Sequence, residues 1–482
     1  MTAITTQRSS TELATAFANE ARRLAEEFEI PGASMALMLP DGDHFVNVGV
    51  TSFDNPLDVD SDTIFQIGSN TKTLTSLTVS ALEEQGKLKV TDRVRDHLPD
   101  FKMKDESVAD SLTLLDVLTH QGGFQGDVFT DTGAGDDALA KMVEAMAELP
   151  QVMPMRTHWS YSNSGFYIAG RVIEVASGMT YEAAVTELVL KPLGMDHTLF
   201  FASEVMTYRF ATGYNNVGDE LVAQRPWLMT RSAGPAGSTC CSTARDMVRY
   251  ARYVMSGTLA SIAEADGETN EQPPLATLDR ARLWKPVRDI GAGINSFPGK
   301  QAQMGQSWFI DQHPDALILS HGGSTLGHQS NMWLSPDRKV GFLSLTNAPN
   351  GHAMNRKLSD WVKREVLGLS APPLPEFSVS DEELGRLVGY FIVNGQPYNL
   401  GTKLENGQLF VVMPGSGAGG TTDLPLRFIA PDLAVVVGGD VDGTNVEFVR
   451  EDGEVAFMRL GARLFPAERP EGASAGLPME AL

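Results

Sequence analysis

The stretch Gln66-Ile67-Gly68-Ser69-Asn70-Thr71-Lys72-Thr73-Leu74 holds the one Ser-x-x-Lys of this 482-residue chain. Behind it, Leu74, Leu77, Ala81 and Leu82 recur at helical spacing until Gly86. The pattern predicts an amphipathic helix beginning near Ser69. Residues three apart share a helix face, so the Lys72 amine lies beside the Ser69 hydroxyl. Burial and the positive end of the helix dipole both disfavour an ammonium there. A neutral Lys72 can take the proton of Ser69 and make it a nucleophile. Taken alone, a helix-capping Ser and a solvated Lys explain the motif better. The rest of the chain decides.

Upstream, apolar runs at 33–40 and 45–51 flank Asp41-Gly42-Asp43 and predict a β-hairpin. Downstream, Leu98-Pro99 stops one short helix and Gln121-Gly122-Gly123 breaks another, before a polar Gly- and Asp-rich loop at 127–137. Residues 138–255 read mostly as helices, at 138–149, 164–176, 181–190 and 242–255. Ser242-Thr243 caps the last of these. Residues 257–303 read as a surface insertion, and strands return from Trp308, followed by a helix at 353–367. This order fits an α+β domain: an antiparallel sheet fed by both chain ends, flanked by helices, with a helical block inserted.

Ala371-Pro372-Pro373-Leu374-Pro375 is a stiff linker. Beyond it, Asn406-Gly407, Pro431-Asp432, Asp442-Gly443 and Asp452-Gly453 separate short alternating runs, which predicts a small all-β barrel. The expected organisation is a catalytic domain at 1–370, a linker at 371–378, a barrel at 379–470 and a disordered tail at 471–482.

A net charge of −23 argues against nucleic acid and anionic membrane surfaces as partners. The first thirty residues lack the apolar region of a signal peptide and no run of 18 apolar residues occurs, so the cytoplasm is expected. Cys240 and Cys241 are adjacent, which suits buried packing rather than a relaxed disulfide. No Cys-x-x-Cys or His-Glu-x-x-His occurs, so no metal and no cofactor is expected.

A Ser-Lys pair needs a group to protonate the leaving atom, a group to hold the Lys and the substrate, and two N–H donors for an oxyanion. Ser160-Tyr161-Ser162-Asn163 supplies the first two just before a helix: Tyr161 as proton relay, Asn163 to hold Lys72. His321-Gly322-Gly323-Ser324 ends a predicted strand, and its glycines let backbone approach substrate closely. An N–H at Ser324 would pair with that of Ser69.

Ser69-x-x-Lys72, Tyr161-x-Asn163 and His321-x-Gly323, in that order, resemble the serine β-lactamase-related superfamily. That superfamily holds class C β-lactamases, penicillin-recognising DD-peptidases, D-aminopeptidases and esterases. Thr63-Ile64-Phe65, Leu118 to Gly123, Pro192-Leu193-Gly194-Met195 and Ala233 to Ser238 agree with it, and the similarity spans about 31–367. The trailing barrel resembles the lipocalin-like domains of some D-aminopeptidase-like and esterase-like members. The resemblance implies a β-lactamase-like fold and an acyl-enzyme on Ser69, with Lys72 and Tyr161 as acid and base. One departure stands out. Many members carry Lys-Thr-Gly where this chain has His321-Gly322-Gly323, and no Lys-Thr-Gly occurs. Without that fixed charge for a substrate carboxylate, penicillins are poor candidates and small esters, amides or short peptides better ones.

Several rivals are set aside. Tyr214-Asn215-Asn216 is a second Tyr-x-Asn, His120-Gln121-Gly122 reads as a helix C-cap, and Gly472-Ala473-Ser474-Ala475-Gly476 lacks the strand and helix that a nucleophile elbow requires. Of His158, Trp159 and His328, the last is the one expected to contact substrate. The Gly-rich loop at 413–423 reads as a plain hairpin loop. The primary expectation is a serine acyl hydrolase, either an esterase or a D-amino-acid amidase or peptidase. Its alternatives are a peptide-cyclising or acyl-transferring thioesterase, and a non-catalytic acyl- or peptidoglycan-binding module.

Overall fold

The computed structural model describes residues 8–218, 220–259, 274–292, 301–370, 373–393, 399–414, 421–439 and 441–468. At its centre is an antiparallel sheet of β1 (Gly32–Leu39), β2 (Gly42–Gly49), β3 (Arg288–Ala292), β4 (Gln301–Met304), β5 (Phe309–Gln312), β6 (Leu317–Ser324), β7 (Gln329–Ser335) and β8 (Val340–Thr346). The spatial order is β2-β1-β8-β7-β6-β5-β4-β3. The N-terminal hairpin thus joins the last strand, with Met35 opposite Ser344, so both ends of the domain build one sheet.

Five main helices cover it: α1 (Ser10–Glu27), α2 (Thr71–Glu84), α3 (Ser164–Ser177), α4 (Ala244–Ser256) and α5 (Gly351–Leu367). α1 starts at a capping box between Ser9 and Glu12. Its stripe of Phe17, Ala21 and Leu24 packs with Met354, Leu358 and Val362 of α5 over Met35, Leu37 and Phe342 on one face. On the other face Ala36, Met38, Met332 and Leu343 meet residues of α2, α3 and α4. All eight residues of β1 are therefore buried. Removing one buried side chain here, as in Leu77→Ala, would cost about 2–5 kcal/mol.

α2 departs from its expected amphipathic form, for it is buried on every side from Thr71 to Leu82. It runs through the interior between the sheet and the helical block. The hydroxyls that make its sequence look half-polar donate to carbonyls instead: Thr73 to Asn70 (2.7 Å), Ser76 to Gln306 (3.1 Å) and Thr78 to Leu74 (2.9 Å). The predicted insertion at 257–303 also needs correcting, because it supplies β3 and β4 to the main sheet. Both strands are short and polar and pair with a register shift, so no alternation betrays them. The helical block contains a further hairpin, Tyr214–Val217 with Glu220–Ala223. Tyr214 accepts a hydrogen bond from Phe53 N (2.7 Å), so the second Tyr-x-Asn is part of the framework.

The C-terminal part is a closed eight-stranded barrel of β9 (Gly389–Phe391), β10 (Leu400–Glu405), β11 (Gln408–Pro414), β12 (Thr421–Ala430), β13 (Leu433–Val436), β14 (Asn445–Glu451), β15 (Glu454–Leu460) and β16 (Arg463–Glu468). Asn406-Gly407 and Asp452-Gly453 turn with positive φ, as two-residue hairpins require. Leu400, Val411, Phe448, Met458 and Phe465 fill the interior. The barrel docks along the chain segment that precedes α3. Leu464 N donates to Ser160 Oγ (3.1 Å), Tyr161 N to Ala462 O (2.9 Å), and Arg459 to Trp159 O. The expected linker residues Ala371-Pro372, the loop tip at 415–420 and the tail with Gly472 to Gly476 lie outside the described residues. Among the described residues, no helix is long and apolar enough to cross a membrane.

Candidate active site

Ser69 sits in the turn Gly68–Asn70 that opens α2. Backbone crowds this turn so closely that side chains are excluded. Gly68 has φ +52°, and a Cβ there would lie 2.7 Å from Ser324 N. A Cβ on Gly323 would lie 2.0 Å from Ile67 O and 2.9 Å from Ser69 N. Gly237, at φ +114°, presses on Gly68 in the same way. β6 and the head of α2 therefore meet at Gly68 and Gly323, with the amides of Ser69 and Ser324 beside the contact. Asn70 extends the join by donating to Ser330 Oγ (2.7 Å).

Lys72 is wholly buried one helical turn on. Its Nζ donates to Asn163 Oδ1 and to Ala236 O, both at 2.6 Å, and lies 3.1 Å from Ser69 Oγ. Burial, helped by the charge of Arg463 and opposed by that of Asp127, holds its pKa well below the usual lysine range. A neutral amine has two N–H bonds and one lone pair. The two carbonyl oxygens take the N–H bonds, which leaves the lone pair for the Ser69 hydroxyl. Tyr161, also buried, is hydrogen-bonded to Ser69, and burial raises its pKa, so it stays a neutral phenol.

His321 is buried on β6, with its ring 5.4 Å from that of Phe309 and 6.2 Å from that of Tyr161. Burial and the nearby Lys72 lower its pKa to about 3, so it carries no charge at neutral pH. His120 is more than a helix cap. It has φ +58°, stacks on Tyr161 at 4.3 Å and accepts from Ser162 N at 3.0 Å, fixing the loop that carries Tyr161. Burial, first, and then Lys72 hold its pKa well below the usual histidine value.

The cleft has a volume of about 530 Å³ and is lined by Ser69, Tyr161, Asn163, His321, Gly323 and Ser324, among others. Phe129, Met229 and Phe309 give it apolar walls. His328 is not among the lining residues, which corrects its expected substrate contact. The tight turn after β6, closed by Thr325 N to His328 O (3.1 Å), folds its ring behind Gly213 and edge-on to Phe65. His158 and Trp159 also lie away from the cleft. His158 bonds Glu451 of the barrel at 2.9 Å, and the Trp159 indole donates to Thr119 O at 3.0 Å. Cys240 and Cys241 are free and buried, and burial pushes the Cys240 thiol up to about 12.

Two residues of the cleft escaped the sequence reading. Asp127, at the start of the predicted polar loop, is buried and accepts from Asn163 Nδ2 at 2.6 Å. Arg463, at the head of β16, reaches out of the barrel to Asp127, with Nη2 3.0 Å from Oδ1 and Nε bonded to Oδ2. Neither has a motif around it. The cleft wall thus carries a guanidinium after all, balanced by a carboxylate.

The antiparallel sheet with its helical block, and a buried Ser-Lys-Tyr centre where the two meet, define a β-lactamase-like serine hydrolase fold. The chain belongs to the beta-lactamase family, whose model, described as Beta-lactamase, matches residues 17–365. It is 31% identical over 357 residues to Penicillin-binding protein 4 of Amycolatopsis lactamdurans, covering 73% of this chain and 89% of that one. Among solved structures, SurE superposes with a TM-score of 0.74 at 22% identity over 95% of this chain and 100% of its own. A class C beta-lactamase from Rhodobacter sphaeroides superposes at 0.59 and 21% identity over 73% of this chain and 99% of its own. Members of the family are serine hydrolases.

Proposed function

We propose that this protein is a serine acyl hydrolase that acts on a small ester, amide or short peptide through an acyl-enzyme on Ser69. The observation that carries the reading is Lys72 Nζ, bonded to two carbonyl oxygens and 3.1 Å from Ser69 Oγ. As Ser69 Oγ bonds to the substrate carbonyl carbon, its proton passes to Lys72. The N–H groups of Ser69 and Ser324 hold the oxygen that becomes negative. Tyr161 then passes a proton to the leaving oxygen or nitrogen as its bond to carbon breaks. A water molecule repeats the sequence in reverse and frees the acid.

Within this class, esters and D-amino-acid amides or peptides fit best. The apolar cleft walls and an uncharged His321 favour a neutral substrate, and Arg463 is already balanced by Asp127. A net charge of −23 suits an aqueous compartment, and we read the cytoplasm as that compartment. Because the base is neutral Lys72, activity should fall as pH drops through its depressed pKa, giving an acid limb below the ordinary lysine range.

A panel of short-chain nitrophenyl esters, D- and L-amino-acid amides and a chromogenic cephalosporin tests the reading, with Ser69→Ala as control. Mass spectrometry after fluorophosphonate treatment should find the adduct on Ser69. Near-normal ester turnover by Ser69→Ala, or no adduct, would overturn it. Turnover that rises with added amine, with amide as product, would favour acyl transfer over hydrolysis.

A further inference from the structure

Asp127 and Arg463 have no step in the mechanism above, yet they are built into its centre. Arg463 comes from the barrel and Asp127 from the catalytic domain. The two Asp127 oxygens receive two guanidinium bonds and the Asn163 amide. A carboxylate accepts and never donates, so it dictates which way the Asn163 amide faces. Nδ2 must point to Asp127, and Oδ1 then points to Lys72 Nζ at 2.6 Å. Arg463 also lies 5.1 Å from the Tyr161 ring centre. The neighbouring chain is held in register by Tyr161 N to Ala462 O (2.9 Å) and Leu464 N to Ser160 Oγ (3.1 Å).

We propose that Arg463 is a positioning residue for Lys72, acting through Asp127 and Asn163, so that the barrel completes the active site of the other domain. This rests on the reading of neutral Lys72 as the base. The titratable groups facing Lys72 are Tyr161, His120, His321, Asp127 and Arg463. The phenol and both imidazoles are neutral at neutral pH, as described above. Asp127 and Arg463 are the charged pair, and they act on Lys72 in opposite senses.

Opposite charge gives a test with opposite signs. In Arg463→Gln, the Asp127 carboxylate loses its partner and Lys72 becomes the nearest cation available to it. Lys72 then holds its proton to higher pH. In Asp127→Asn, the guanidinium is unbalanced and Lys72 loses its proton at lower pH. The experiment is the pH dependence of kcat/KM of the full chain on a nitrophenyl ester, for both variants and their combination. Arg463→Gln should move the acid limb up by about one pH unit or more, which lowers activity by about tenfold at pH values below the parent's limb. Asp127→Asn should move it down, and the double variant should return it close to the parent value. Arg463→Lys, which keeps the charge but not the two-bond fork, separates charge from geometry and should move the limb less than Arg463→Gln does.

An unmoved limb in Arg463→Gln, or both single variants shifting it the same way, would overturn the proposal. A merely structural Arg463 would lower kcat and leave the limb in place. Fluorophosphonate labelling of Ser69 in the parent separates this failure from that of the underlying mechanism. With no adduct the mechanism falls and takes the proposal with it. With an adduct and an unmoved limb, only the role of Arg463 falls.

Discussion

The head of α2 and the barrel turn before Arg463 face each other across one cleft, and they are held there by different means. The α2 side is locked by backbone contact. Gly68, Gly237 and Gly323 leave no room for a Cβ, and Lys72 is wholly buried. The barrel side is held by hydrogen bonds and ion pairs, Arg459 to Trp159 O, His158 to Glu451 and Arg463 to Asp127, around a small apolar patch of Met153, Phe457 and Leu464. One side is fixed by packing that nothing can slip past. The other is fixed by directional polar contacts around that patch, made between residues far apart in the sequence. The chemistry sits on the rigid side, and its electrostatic balance comes from the other.

The contrast is broken most directly on the rigid side. Ser69→Ala and Lys72→Ala should each lower ester turnover by about a thousandfold or more. Lys72→Arg should not rescue it, since a guanidinium cannot give up its proton in a protein. Gly323→Ala should follow, with about a hundredfold loss in the rate of Ser69 acylation, because the new methyl would push Ile67 O and Ser69 N away from Ser324. Stopped-flow measurement of the acylation burst reads this directly.

The barrel side should give smaller losses. Arg459→Met removes the bond to Trp159 O and should slow turnover about tenfold, near 1.4 kcal/mol of barrier. A loss as large as that of Gly323→Ala would mean that the two sides are equally rigid. His328→Leu should change turnover by less than about threefold. Neither of its ring nitrogens has a hydrogen-bond partner among the described residues. Removing such a pair of buried polar atoms should leave thermal stability equal or raise it by about 1 kcal/mol. A collapse in turnover would return His328 to the cleft.

The same contrast explains what could be read in the sequence. Ser69, Lys72, Tyr161, Asn163 and His321 were legible because each sits in a short motif whose spacing reflects local backbone geometry. The glycines beside Ser69 and at 322–323 marked where chain approaches chain. Asp127 and Arg463 were not legible, because they are 336 residues apart and meet only through docking of two domains. The interior position of α2 was hidden by its Thr and Ser residues, which look solvated in sequence but bond carbonyls in the fold. β3 and β4 were hidden for the opposite reason: they are too short and polar to show alternation. His328 was misplaced because the sequence gives its neighbour in the hairpin but not the direction in which the turn folds.

The outer strands of the main sheet carry a consequence of their own. A sheet that does not close presents rows of backbone donors and acceptors at both edges, ready to add strands from other molecules. At β2, Asp43 is pinned by Arg252, which puts charge on that edge. At β3, a register shift disrupts the row between Asp289 and Ala292, and Glu447 of the barrel stands 3.2 Å from where a Cβ of Gly291 would lie. The barrel, itself closed, thus sets a carboxylate beside the flank of the sheet that ends in short, polar strands, and a charge there disfavours the addition of another strand.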